Sequence, residues 1–167
     1  MVPMVAIVGR PNVGKSTLFN RIAGHRKALV DDLPGVTRDR LYHRVTWNQR
    51  DFILVDTGGF EPNSREPLLA QIREQTQMAI EEADIILLLL DASTGLTPSD
   101  EETASLLRKT SKPVYFVVNK VDGPRQEALS TEFFELGVER LHAISALHGK
   151  GVSELLDYLT EGLTQSQ

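Results

Sequence analysis

Apolar residues along the chain fall into two alternating patterns. Short continuous runs rich in β-branched and aliphatic residues recur at Val5–Val8, Phe52–Val55, Ile85–Leu90, Val114–Val118 and His142–Ile144, and each is followed by Gly, Asp, Asn or Ser. Runs of this length predict buried strands. Helical spacing fills much of the sequence between and after them, at Leu18, Phe19 and Ile22, at Leu69, Ile72, Ala79, Ile80 and Ala83, and at Val152, Leu155, Leu156, Leu159 and Leu163. Thr97-Pro98-Ser99-Asp100 adds a hydroxyl N-cap, a proline at the first helical position and an acid three residues on, which predicts a helix running toward Lys109. Alternating strands and helices predict an α/β fold, a mainly parallel sheet covered on both faces, with ligands outside the carboxyl ends of the strands. Two stretches lack a period, Gly24 to Leu41 and Gly58 to Pro67, and read as mobile loops. There is no internal repeat, and the sequence closes on a polar tail, Thr164 to Gln167.

A length of 167 residues fits one domain with a substantial core. Lys plus Arg number 18 against 23 Asp plus Glu, for a net charge of −5, the wrong sign for a broad nucleic-acid grip, so any such contact must be local. Without cysteine there is no disulfide framework, thiolate metal site or thiol nucleophile. The four histidines, His25, His43, His142 and His148, lack the pair spacing of a zinc-binding helix. The apolar run Ile85–Leu90 is far short of the roughly 20 residues that cross a bilayer. The apolar start, Met1 to Gly9, has neither the basic lead-in nor the cleavage site of a secretory signal. A cytoplasmic protein without membrane contact is expected.

The candidate chemistry sits after the predicted strands. Gly9-Arg10-Pro11-Asn12-Val13-Gly14-Lys15-Ser16 matches GxxxxGK[ST] between a strand and a helix. In such a turn backbone N–H groups face phosphate oxygens, Lys15 adds charge at the β/γ-phosphates, Ser16 can ligate magnesium, and the helix dipole favours an anion. Asp56-Thr57-Gly58-Gly59 can hold magnesium through Asp56 and touch a γ-phosphate through the Gly59 amide. Thr37, in the first loop, can complete the magnesium shell and order that loop in the triphosphate state. Asn119-Lys120-Val121-Asp122 offers a carboxylate that accepts from guanine N1–H and the 2-amino group together. Adenine presents a ring-nitrogen acceptor there, so guanine is the predicted base. Ser145-Ala146-Leu147 can present a backbone N–H to guanine O6.

Taken in order, these residues resemble the G domain of the translation-factor-related GTPases over nearly the whole chain. Gly-Arg-Pro-Asn-Val-Gly-Lys-Ser, Pro34-Gly35-Val36-Thr37-Arg38-Asp39-Arg40 and Asp-Thr-Gly-Gly-Phe most resemble the first GTPase domain of the Der, or EngA, family within the Era/TrmE/Der-like group. The resemblance implies a three-layer P-loop NTPase G domain: six strands, one an antiparallel edge strand at Tyr42 to Trp47, and five flanking helices. It implies a magnesium-dependent GTPase switch in assembly of the large ribosomal subunit, cut from a protein that also carries a second G domain and a KH-like domain. Those domains, GTP/GDP and the ribosomal subunit or its RNA are the implied partners. The implied nucleotide site comprises Gly9, Asn12, Val13, Gly14, Lys15, Ser16, Thr17, Asn119, Lys120, Asp122, Ser145, Ala146 and Leu147. Magnesium falls to Ser16, Thr37 and Asp56, and catalysis to Lys15, Asn12, Thr37 and Gly59.

Hydrolysis is the point where the pattern departs from a glutamine mechanism. Phe60 follows Asp-x-x-Gly and cannot hydrogen-bond a water. The resemblance assigns Asn12 to a potassium ion over the phosphates, whose charge would replace that of an arginine finger. Arg38, Arg40, His43 and Arg44 are read as a locally basic loop able to touch RNA. Three competing readings remain: a regulatory guanine-nucleotide module with little turnover, the G domain of the related tRNA-modification GTPase, and an ATP-dependent P-loop kinase. The second normally reads Thr-Thr-Arg-Asp and Asp-Thr-Ala-Gly where this chain has Val36-Thr37-Arg38-Asp39 and Asp56-Thr57-Gly58-Gly59; the third leaves Asn119 to Asp122 unexplained.

Overall fold

The computed structural model describes residues 2–24, 41–58 and 67–165. Among these, six strands form one sheet: β1 (Met4–Val8), β2 (Leu41–Trp47), β3 (Arg50–Asp56), β4 (Ile85–Asp91), β5 (Val114–Asn119) and β6 (Leu141–Ala143). The order is β2-β3-β1-β4-β5-β6, with only β2 antiparallel to its neighbour. Five α-helices accompany it: α1 (Lys15–Ala23), α2 (Leu68–Glu82), α3 (Pro98–Leu107), α4 (Pro124–Ser130) and α5 (Val152–Gln165), with a short 3-10 helix at Thr131–Leu136. The architecture is the one expected.

Strand periodicity divides the core in two. Val5, Ile7, Phe52, Leu54, Leu87 and Leu89 pack with Leu18 and Phe19 of α1 and with Leu155, Leu156 and Leu159 of α5. Their neighbours Ala6, Val8, Val55, Ile86, Leu88 and Leu90 face the other way, onto Ala79, Ala83, Ala104, Leu107 and Phe133. Every residue of β4 is buried, because both faces of this central parallel strand are covered, and its sequence is therefore continuously apolar from Ile85 to Leu90, with only the terminal Asp91 charged. The Thr97 side chain accepts from the Asp100 amide while the Asp100 carboxylate accepts from the Thr97 amide, the capping box read from the sequence.

Some boundaries moved. β6 begins and ends one residue earlier than the run His142–Ile144, although the Ile144 amide still donates to the Val118 carbonyl at 2.8 Å as the chain leaves the sheet. Helix α5 continues to Gln165, two residues into the stretch read as a polar tail. Leu69, counted on the apolar face of α2, is 47% exposed beside Leu68. His43 and Arg44 belong to β2 rather than to a loop, and Arg44 is paired with Asp51 across the β2–β3 hairpin at 2.8 Å. The remainder of the proposed basic loop, Arg38 and Arg40, lies outside the described residues, as do Thr37, Gly59 and Phe60. No described helix is long and apolar enough to cross a membrane.

The topology locates the site. The strands on either side of β1 are β3 and β4, so the chain connects outward in opposite directions around β1. A crevice opens at the carboxyl ends of the strands at such a switch point. The segment leaving β1 there is Gly9–Ser16.

Candidate functional site

The turn after β1 is shaped by residues that leave no alternative path. Gly9 has φ 150° and Gly14 φ 104°; a Cβ on Gly9 would lie 2.7 Å from the Leu89 carbonyl oxygen, and one on Gly14 would lie 2.2 Å from Asn119 Nδ2. Gly14 is also the N-cap of α1, with no side-chain cap and no acid in the first helical turn. The positive end of the helix dipole therefore meets the crevice without an acid from the helix's own first turn, an arrangement suited to phosphate.

Lys15 is buried, and its Nζ donates to the carbonyls of Gly9 at 2.6 Å and Arg10 at 3.1 Å, so the ammonium is held inside the turn that precedes it. Ser16 Oγ donates to Asp56 Oδ2 at 3.0 Å, and Asp56 Oδ1 accepts from the Gly58 amide at 3.0 Å. Asp56 is fully buried. Burial pushes its carboxyl above the usual range, against the opposing pull of the Gly58 amide, Lys15 and Ser16. Burial likewise lowers the Lys15 ammonium, despite the carboxylate of Asp56. Both charged groups are thus short of compensation in the protein itself. Hard oxygen donors from a hydroxyl and a carboxylate suit magnesium, with phosphate oxygens completing a shell. No group of three or more His, Cys, Asp or Glu that could hold a metal ion occurs among the described residues.

A cavity of about 580 Å³ opens over these groups, lined by Asn12, Lys15, Ser16, Thr17 and Gly58, by Leu68, Gln71, Ile72 and Gln75 of α2, and by Lys120. Asp122 is not on its wall. It faces a neighbouring hollow of about 300 Å³ with Gly123, Pro124, Glu127 and Lys150. Lys120, two residues before Asp122, lines the first of these spaces. Asp122 Oδ1 accepts from Ser145 Oγ at 2.7 Å, its carbonyl accepts from Lys150 Nζ at 3.2 Å, and its side chain stays 47% exposed. A fixed, solvent-facing carboxylate beside a phosphate-binding turn is the expected reader of a purine edge.

Asn119 binds the two halves together. Its Nδ2 donates to the Val13 carbonyl at 2.9 Å, and its Oδ1 accepts from the Ala146 amide at 2.9 Å. The structure therefore makes Asn119 a brace between the phosphate turn and the loop after β6, and the Ala146 amide, one of those offered to guanine O6, is already bonded to it. Arg21 of α1 holds the same loop from outside, donating through Nε to the Ala146 carbonyl at 3.0 Å and through Nη2 to that of Leu147 at 2.6 Å. Sequence reading missed Arg21. No local pattern marks an arginine whose acceptors lie 125 and 126 residues ahead.

The described residues from the motifs, Gly9 to Thr17, Asp56, Asn119 to Asp122 and Ser145 to Leu147, all lie on the elements leaving the carboxyl edge of the sheet. The family model for "50S ribosome-binding GTPase" matches residues 4–120. The chain belongs to that family. It is 58% identical over 99% of its length to GTPase Der of Geobacter metallireducens, covering 38% of that protein. It is 60% identical over 94% of its length to GTPase Der of Trichlorobacter lovleyi, covering 35% of it. It thus spans less than two fifths of these curated relatives. Among solved structures it is similar to Era in complex with MgGDPNP and nucleotides 1506–1542 of 16S ribosomal RNA, with a TM-score of 0.75 and 36% identity, covering 96% of this chain and 56% of that one. Burial of the ionised Asp56 carboxylate opposes folding at neutral pH.

Asp56→Asn keeps an acceptor for Gly58 and removes the desolvated charge. Without nucleotide or metal at pH 7, this variant should melt about 3 °C higher than the parent, corresponding to ~1 kcal/mol for a chain of this size. A carboxyl whose folded pKa is raised favours the folded state when protonated, so the parent loses stability as pH rises from its ordinary value of 3.8 through the raised one. The gap between variant and parent should accordingly close on acidification. Scanning calorimetry from pH 7 downward checks it; a variant that melts below the parent at pH 7 contradicts the charge argument.

Proposed function

We propose that this chain is a magnesium-dependent GTPase switch: it binds GTP with its polyphosphate on the turn Gly9–Ser16 and its base at Asp122, and hydrolyses it to GDP and phosphate. The observation that carries the reading is the joint placement of two features, an uncapped helix start with a buried lysine and, two residues beyond the cavity-lining Lys120, a carboxylate fixed by Ser145. In this reading Gly9, Asn12, Val13 and Gly14 shape the phosphate turn and supply its amides, while Lys15 leaves the carbonyls of Gly9 and Arg10 for phosphate oxygens. Thr17 lines the cavity beside Ser16. Ser16 and Asp56 would hold magnesium, which supplies charge to the developing phosphate oxygens; Thr37 is proposed as a third ligand and Gly59 as an amide donor to the γ-phosphate. Asn119 organises the site from behind and holds the Ala146 amide, Lys120 walls the site, and Ser145 orients Asp122, leaving the Leu147 amide as the loop donor near the base.

Phosphoryl transfer depends chiefly on positioning and charge. Asn12 stands on the cavity wall in a left-handed conformation, φ 70°, with its own carbonyl occupied by Lys120 Nζ at 2.8 Å. Its side-chain amide oxygen is a hard donor suited to potassium at the phosphates. The intact protein is proposed to act in the cytoplasm in assembly of the large ribosomal subunit, coupled to a second G domain and a KH-like domain. Support comes from the family description, which names the 50S ribosomal subunit, and from similarity to GTPase Der; the 16S ribosomal RNA in the Era complex supports a ribosomal partner in general rather than the large subunit.

Two experiments test the reading. Asp122→Asn converts a pure acceptor into a group that donates through its amide to the 2-oxo group of xanthine, so GTP affinity should fall by about 100-fold or more while XTP gains, in line with sites that read a hydrogen-bond pattern. Unchanged GTP affinity in titration calorimetry rejects Asp122 as base reader. Single-turnover phosphate release from the 167-residue chain should be measurable with magnesium and faster in potassium than in sodium chloride. Equal rates in the two salts exclude the Asn12 cation, and absence of release in both excludes turnover by this chain.

A further inference from the structure

The motif residues leave Asp91 unexplained. It ends β4 at 2% exposure, where a carboxylate without partners is costly. Its two oxygens have separate tasks. Oδ1 accepts from the Ser93 amide at 2.8 Å and from Ser93 Oγ at 2.6 Å, closing the turn after the strand. Oδ2 accepts from Lys120 Nζ at 2.8 Å. The same ammonium donates to the Asn12 carbonyl at 2.8 Å, on the phosphate turn. These charge-assisted contacts, with Ser93, hold the Asp91 carboxyl below its usual range even though burial opposes this.

Lys120 needs such a partner. It occupies φ 65°, a left-handed conformation uncommon for a lysine, and its side chain is 38% exposed. A lysine is a point charge on a flexible stem, which explores many rotamers unless its head is fixed. Asp91 is buried, so it cannot follow Lys120 outward, and the Asn12 carbonyl is a second acceptor for the same ammonium. The Lys120 side chain, which lines the cavity at the phosphate turn, is thereby fixed at its head. Arg10 ties the same turn to the same strand exit, donating through Nη2 to Thr94 Oγ1 at 2.5 Å, with its Nε 3.3 Å from Asp100 Oδ1.

We propose that Asp91 is a positioning residue of the nucleotide site: its Oδ2 anchors the Lys120 ammonium against the Asn12 carbonyl, and this anchored side chain slows nucleotide escape. The inference rests on the guanine-nucleotide reading above, and the test separates the two. Asp91→Asn preserves the Oδ1 acceptor for Ser93 and replaces the Lys120 partner with an amide that cannot accept. Release of N-methylanthraniloyl-GDP, chased with unlabelled GDP, is followed for the parent, Asp91→Asn, Lys120→Met and the double variant. Failure of the parent to bind the probe overturns the guanine reading itself and this inference with it.

With a binding parent, Asp91→Asn should release the probe on the order of tenfold faster, the scale of one charge-assisted hydrogen bond. The double variant should release it no faster than Lys120→Met alone. An unchanged rate in Asp91→Asn overturns the inference, and so does the same acceleration with and without Lys120, which would place the effect of Asp91 elsewhere. A second measurement uses the parent alone and does not depend on the folding of Asp91→Asn. In 15N-lysine-labelled protein the Lys120 ammonium, assigned as the resonance missing from Lys120→Arg, should exchange slowly enough with water to be observed. A Lys120 ammonium averaged with solvent like the surface lysines overturns the anchor.

Discussion

A single buried amide keeps the site in register. Asn119 satisfies both ends of its side chain, one on the carbonyl of Val13 in the phosphate turn and one on the amide of Ala146 in the loop after β6. A buried amide with all partners supplied is rigid, and one deprived of either partner is costly, so the two loops are held as one unit. Gly14 passes so close to Asn119 Nδ2 that a side chain there would displace it. The tight turn, the helix start it opens and the base-facing loop therefore depend on the same contact. Arg21 on one side and the Asp91–Lys120 pair on the other extend this brace to α1 and to β4.

Function stands in tension with stability around that brace. The sheet supplies a dry, two-sided core, while its carboxyl edge buries Lys15 and Asp56, whose charged forms burial disfavours. A structure optimised for its own stability would neutralise these groups. In the proposed reading a polyphosphate and magnesium would compensate them, and their binding would stabilise the folded state by mass action. The proposed assignment of Lys15 to phosphate and Asp56 to magnesium gives each buried charge a counter-charge.

Much of this was legible in the sequence, for identifiable reasons. Burial on both faces makes β4 a continuous apolar run, and the capping box at Thr97–Asp100 is written in four consecutive residues. Gly9–Ser16 is local as well, because a turn and a helix start need no distant partner. The antiparallel place of β2 followed only from the resemblance, since His43, Arg44 and Thr46 give it no distinct period. Reading His43 and Arg44 as loop residues failed because the hairpin partner Asp51, which pairs with Arg44, is a tertiary fact. The same holds for the bracing role of Asn119, 106 residues from its acceptor, and for Arg21. Asp91 carried half a signal: it is a polar residue closing a buried strand, but its partner is set by the strand order, with β5 beside β4.

The account rests on one selectivity, that the carboxylate at Asp122 and the turn at Gly9–Ser16 recognise the two ends of a single guanine nucleotide. Titration calorimetry of the folded chain with magnesium, using GTP and ATP in parallel, addresses it most directly. The structure predicts a measurable enthalpy and a defined affinity for GTP, with ATP weaker by about 10⁴-fold or more where a hydrogen-bond pattern decides. Equal affinity for the two nucleotides would contradict it, because phosphate binding would then be independent of the edge that Asp122 is placed to read.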